Sequence, residues 1–161
     1  MLTPDDWATW RQLRLAALGE APHAFGSRLA DWQGEADAEQ RWRGRLEIPG
    51  SHNVVAVVDG EGAGMASGVP TPHDGAVELI SMWVAPSARG RGVGDALVED
   101  VEAWAWSTGA RVLRLSVADG NTRAAALYER HGFRYTGELG DVMADGVHRE
   151  RVMEKARVAH Q

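Results

Sequence analysis

A single α/β domain is the fold class that this sequence predicts, and three observations carry the prediction. Short apolar or β-branched runs alternate with longer helical patterns along the chain. One such run, Glu78-Leu79-Ile80-Ser81-Met82-Trp83-Val84, passes through a glycine-rich turn into a helical pattern from Asp95 to Trp104. The chain has 161 residues, 44% of them hydrophobic, which is enough for one core. No linker, repeat or low-complexity tract divides it.

Each element has a local reason. Thr3 to Asp6 is a helix-start signal, and Trp7, Trp10, Leu13, Arg14, Leu15 and Leu18 follow at helical spacing. Pro22 to Ser27 breaks the pattern. A short polar helix is expected over Arg28 to Trp32 and another over Asp37 to Leu46. Val54 to Asp59 reads as a strand, Gly60, Gly62 and Gly64 as its turn, and Met65 to Val69 as the returning strand. Pro70 to Gly75 is a loop, and Val77 to Val84 is the central strand. Val112 to Val117 alternates as a strand. A helix then starts at Asn121, a residue type that caps helix N-termini, and Gly132 ends it. Phe133 to Gly137 and Arg149 to Glu154 supply the last strands.

The turn Arg89-Gly90-Arg91-Gly92-Val93-Gly94 is the most chemical stretch. Glycines let a backbone approach a ligand closely. The first N–H groups of the following helix lack intrahelical partners and carry the positive end of the dipole. Such a turn suits phosphate. A Walker loop would need Lys-Ser/Thr after its last glycine, and none follows. A dinucleotide fingerprint would need glycine at position 95, which is Asp.

The pattern that fits is [QR]-x-x-G-x-[GA], with Arg89, Gly92 and Gly94 in its fixed places. Downstream, Asn121-Thr122-Arg123-Ala124-Ala125-Ala126-Leu127-Tyr128-Glu129-Arg130-His131-Gly132-Phe133 fits N-x-x-A-x-x-[LF]-Y-x-x-x-G-F. In both motifs and their spacing, over roughly residues 77 to 137, the chain resembles the GNAT superfamily, the Gcn5-related N-acetyltransferases, in an uncharacterised bacterial form. The resemblance implies a twisted, mixed central sheet of about six to seven strands with helices on both faces. The family usually begins with a strand before its first helix. Here only Met1 and Leu2 precede the cap, so that strand is two residues long or absent.

The resemblance also implies a site. In the family the two central parallel strands splay, and the pantetheine arm of acetyl-CoA inserts beside the freed backbone, which here belongs to Met82, Trp83 and Val84. The pyrophosphate is expected on the loop of Arg89, Gly90, Arg91, Gly92, Val93, Gly94 and Asp95. Asn121 is expected both to cap its helix and to touch the donor. Tyr128 is the expected general acid. A phenol with a pKa of about 10 can protonate a leaving thiolate whose conjugate acid has a pKa of about 8.5. Glu78 stands where some members carry a general base and is expected near the acceptor. It reads equally well as a solvated residue at a strand start. Regular alternation would put it on the same face as Met82. His73 and His131 are weaker base candidates.

Acceptor specificity in the family comes from the first helices and a late strand loop. These positions correspond to Phe25, Trp32, Trp42 and the stretch Glu138 to His148. Trp7 and Trp104 look like core residues. Trp32 and Trp42 read as packing residues or as walls of an acceptor cleft. The formal charge of −6 argues against nucleic acid and mildly favours a cationic small substrate. The chain has no cysteine, so no thiolate nucleophile is available. No membrane-length apolar run and no signal segment are present, so no membrane partner is expected and the cytoplasm is the default location. No metal-ligand spacing is apparent. The resemblance leaves room for a homodimer. Three readings compete: an acetyl-CoA-dependent N-acetyltransferase acting on a small-molecule or peptide amine, a non-catalytic CoA-binding or sensor module on the same fold, and an unrelated nucleotide-binding domain. Intact Tyr128 and Asn121 favour the first.

Overall fold

The computed structural model describes residues 1–20, 29–143 and 145–158. Helix α1 (Trp7–Glu20) and helix α2 (Glu39–Leu46) come first, followed by strands β1 (His52–Val58), β2 (Glu61–Pro70) and β3 (Ala76–Val84). Helix α3 (Val93–Ser107), strand β4 (Val112–Val117), helix α4 (Thr122–Arg130) and strands β5 (Arg134–Val142) and β6 (Arg149–Ala156) complete the order. The six strands form one sheet in the order β1-β2-β3-β4-β6-β5. Only β3 and β4 run parallel, so the sheet is mixed, as expected.

Two apolar layers cover the sheet. On one face Val77, Leu79, Leu113 and Leu115 pack with Leu97, Val98, Val101 and Tyr128 of α3 and α4. On the other, Met65 and Trp83 pack with Trp10, Leu13 and Ala17 of α1 and Trp42 of α2. Burying such large side chains stabilises each layer by roughly 2–3 kcal/mol per residue.

Several local expectations change. Leu29–Trp32 is a single 3-10 turn, not an α-helix. The first strand is reduced to one backbone hydrogen bond, Leu2 N–H to Asn53 O at 2.8 Å. Gly62 and Gly64 belong to β2, not to its turn. Close packing against the neighbouring strand and the helices, not turn geometry, selects glycine in this strand. A Cβ on Gly64 would stand 2.8 Å from Trp83 O, and one on Gly68 only 2.2 Å from the Trp104 ring. That ring is partly buried, as is Trp7, and both pack against the core layers at their margins.

The central strand carries the most consequential change. Met65 pairs with Trp83, but Ser67 pairs with Ile80, so β3 holds one extra residue between these rungs. Ser81 sits there with φ +55°, rare for a residue with a side chain. The bulge reverses the alternation. Val77 and Leu79 before it, and Met82 and Val84 after it, contact the same α3/α4 layer. Glu78 therefore does not share a face with Met82, contrary to the regular-strand expectation.

Candidate active site

The parallel strands β3 and β4 pair only at Ala76–Val112, Val77–Leu113 and Glu78–Arg114. Beyond Glu78 they splay, and the β4-facing edge of Leu79 to Val84 has no strand partner. A groove of about 980 Å³ opens along this edge, lined by Met82, Trp83 and Val84. At its far end Gly90 and Gly92, both with φ +79°, turn the chain into α3. The first α3 bond runs from Ala96 N–H to Gly92 O at 3.1 Å, and no side chain caps the terminus. The N–H groups of Val93, Gly94 and Asp95 thus have no partner within the helix. The start of α4, from Gly120 to Ala124, lines the same groove, so two helix N-termini converge on it.

Charge follows the backbone. Arg89, Arg123 and Arg130 line the groove with Glu20 and Asp95, leaving an excess of one positive charge. The Glu20 carboxylate accepts from Arg89 at 2.9 Å and from the Trp83 indole at 3.0 Å, and these bonds hold it below the usual carboxylate range. Asp95 is likewise held low by His131 at 2.7 Å and Arg130 at 2.9 Å, so its charge at the helix start is compensated. Asn121 Oδ1 accepts from Ala124 N–H at 3.3 Å, the expected cap. Arg91 is exposed and does not line the groove. Its guanidinium lies 3.9 Å from Asp59.

A second cavity, about 310 Å³, lies under α1 and α2. Trp10, Trp32 and Trp42 form one wall, with Arg14 and Arg45 beside them, while Glu78, Asp141 and Glu150 stand in the lining as acidic groups. Trp32 and Trp42 pack with centroids 4.5 Å apart and ring planes tilted by 32°. The Trp42 indole donates to Asp37 at 2.7 Å, and Arg11 holds Asp37 from the other side, also at 2.7 Å. Met82 and Tyr128 line both cavities, so the two meet at these side chains.

Local structure fixes Tyr128. Helix α4 ends at Gly132 with φ +91°. Phe133 N–H returns to Tyr128 O at 3.0 Å and Gly132 N–H to Glu129 O at 3.0 Å. This C-cap carries its usual apolar contact, here Phe133 edge-on to Tyr128 with centroids 5.9 Å apart. Burial pushes the phenol pKa up, so Tyr128 is neutral and holds its proton. Glu78 is half-buried. Desolvation raises its pKa, Arg114 opposes the shift, and Asp141 adds to it. Glu150 is raised too, by burial and then by Asp141 and Glu78.

The structure thus brings Met82, Trp83, Val84, Arg89, Gly90, Gly92, Val93, Gly94, Asp95 and Asn121 to one groove, and Glu78 and Trp32 to the adjoining cavity. Phe25 lies outside the described residues. Neither His73 nor His131 lines either cavity. Sequence reasoning missed Arg123 and Arg130 of α4, Glu20, and the group Arg14, Arg45 and Glu150. For Arg123 and Arg130 a signal existed, because both lie inside the second motif.

Comparison with known proteins gives the same architecture. The model of the acetyltransferase (GNAT) family matches residues 7–133. The chain belongs to this family. Its general chemistry is acetyl transfer from acetyl-CoA. An aminoglycoside N(6')-acetyltransferase type 1 from Stenotrophomonas maltophilia is 32% identical over 83% of this chain and 84% of its own. Mycothiol acetyltransferase from Jonesia denitrificans is 40% identical over 43% of this chain, and the match spans a quarter, 25%, of that longer protein. The solved structure of a GCN5-related N-acetyltransferase from Kribbella flavida superposes with a TM-score of 0.73 at 27% identity, covering 95% of this chain and 93% of that one.

Proposed function

We propose that this GNAT chain transfers the acetyl group of acetyl-CoA to a primary amine of a small molecule or peptide by direct attack. The observation that carries the reading is the meeting of the two cavities at Met82 and Tyr128. One cavity has the length, the exposed strand edge and the helix N-termini that a CoA thioester requires. The other is smaller and lined by charged groups, and holds a carboxylate suited to an amine. The N–H groups from Gly92 to Asp95 take the pyrophosphate, with Arg89, Arg123 and Arg130 supplying charge. The free edge of Met82, Trp83 and Val84 pairs with the amide-bearing arm as an added strand would.

In the step itself the amine nitrogen attacks the thioester carbon. A C–N bond forms and the C–S bond breaks. The amine proton leaves toward Glu78, directly or through water, and Tyr128 gives its proton to sulfur. The products are an amide and free CoA thiol. Glu78 suits the role because its raised pKa brings it closer to neutral pH, where a carboxylate is a better base.

A thermal melt with acetyl-CoA, CoA, ATP and NAD, followed by a thiol-release assay over an amine panel, tests this. Stabilisation by the two CoA species alone, growing with concentration, is expected. A melt unchanged at millimolar CoA would remove the reading. Tight CoA binding with no thiol release from any amine would instead make the chain a CoA-responsive binding module.

A further inference from the structure

The acceptor cavity holds a buried cation whose charge nothing in the acetyl-transfer step uses. Arg45 of α2 points across the sheet and donates to three neutral oxygens: Asn53 Oδ1 at 3.2 Å, Ser67 Oγ at 3.1 Å and Ser81 Oγ at 3.2 Å. These come from three adjacent strands, with Asn53 paired to Ser67 across β1 and β2. Asn53 and Ser67 are 1% and 0% exposed, the two buried polar residues of the described core. Ser67 also donates to Asn53 at 2.6 Å. Ser81 is the bulge residue, so the unusual backbone of β3 is what supplies the third oxygen. Among the described residues Arg45 makes no ion pair. Three of its five N–H groups are taken.

Arg14 of α1 lies beside it in the same lining. Desolvation lowers both guanidinium pKa values to about 10, and Arg45 further lowers Arg14 by repulsion. Both still carry full charge at neutral pH. Two desolvated like charges side by side are costly, and an anion at Arg45 would relieve the repulsion. Arg41 covers Trp32 at 3.6 Å and Arg45 lies over Trp10 at 5.2 Å, so two of the three rings in the wall already carry a guanidinium on one face. The acidic part of the lining, Glu78, Asp141 and Glu150, has the opposite need. Its members repel one another, and both Glu78 and Glu150 are shifted up.

We propose that the acceptor is a small amino-carboxylate, an amino acid or close analogue, whose carboxylate is bound by Arg45 and Arg14 while its amine stands among Glu78, Asp141 and Glu150. This rests on the acetyl-transfer reading above. The cavity of about 310 Å³ sits at the small end of ligand pockets, which agrees with a single compact molecule.

The experiment uses the whole protein with acetyl-CoA. Free amino acids, their primary amides and spermidine are compared by thiol release. The free acid should exceed its own amide in kcat/KM by at least about 10-fold, the scale of a lost charge-assisted bond. In Arg45→Met the KM for the acid should rise roughly 10- to 10²-fold and the acid-to-amide preference should collapse, while CoA affinity holds. Arg45→Lys should recover only part of the preference, because the planar fork is lost. Amides or spermidine turned over as well as free acids by the unaltered protein would overturn the proposal, whatever the variants do. If no amine is acetylated while CoA binds, acetyl transfer fails by itself. Calorimetry of free acids against the CoA-loaded protein then decides the subsite: binding that Arg45→Met abolishes supports it, and no binding overturns it.

Discussion

The two cavities that meet at Tyr128 are built from different materials. The long groove is mostly backbone: a strand edge without a partner, a glycine turn and two helix starts. The small cavity is side chains, drawn from α1, α2, β3, β4, α4, β5 and β6. A backbone site depends on conformation and reads any ligand of the right shape and charge. A side-chain site depends on identity and can be rewritten one residue at a time. On the proposed function, one chain thereby combines a fixed donor site with an acceptor site free to specialise.

Substitutions can break this division or sharpen it. The largest effect is expected at the junction. Tyr128→Phe removes one hydroxyl and keeps the ring against Phe133, so kcat should fall about 10²-fold while CoA affinity changes only a few-fold. Steady-state rates and a CoA titration measured together check this, and full activity would remove Tyr128 from the reaction. On the acceptor side, Glu78→Gln should slow the reaction roughly 10-fold near neutral pH and recover as pH rises and free amine accumulates. In the unaltered protein the acidic limb of the kcat/KM profile should lie above the ordinary carboxylate range, because burial raises the Glu78 pKa and the base is lost as pH falls through it. The variant should lose that limb.

On the donor side, Gly94→Ala should weaken CoA binding by about 10-fold and lower the melting temperature by no more than about 4 °C. Its φ is not left-handed, and its new methyl would meet chiefly the movable Leu127 side chain at 3.2 Å. Gly92→Ala is a less clean probe, since φ +79° strains any Cβ and costs about 1–2 kcal/mol in the fold itself. The smallest effect concerns the acceptor wall. Asp37, tied to Arg11 and the Trp42 indole, has its pKa lowered to about 2. A depressed carboxylate stabilises the fold above its unfolded value of about 3.9, and that contribution is lost as pH falls toward 2. Asp37→Asn should flatten stability over that window, raise the acceptor KM and leave CoA binding alone.

The same division explains what the sequence revealed. The groove was legible because its parts are contiguous. Arg89 to Gly94 and Asn121 to Phe133 are short runs whose spacing is itself the geometry. The mixed sheet and its splayed central parallel pair followed from the family resemblance those runs support. The acceptor cavity was not legible. Arg14 and Arg45 are ordinary polar residues of helical segments in the sequence, and only the fold brings them to one lining and turns Arg45 inward over Asn53 and Ser67. The acidic total charge mildly favours a cationic substrate, and the cavity lining carries three carboxylates, but net charge could not reveal the two arginines set beside them. The bulge was invisible too. Glu78 to Val84 is written as an ordinary strand, and nothing local marks Ser81 as the place where its alternation reverses.

That extra residue has a consequence for how the site can change over generations. Because it sets the parity of everything after it, deleting one residue between Ile80 and Met82 would send Met82, Trp83 and Val84 to the wrong faces at once. Substitutions in β3 have graded outcomes, but length changes have all-or-none ones. The small cavity can therefore drift toward new acceptors by point mutation, while the strand that separates it from the donor groove is locked in register.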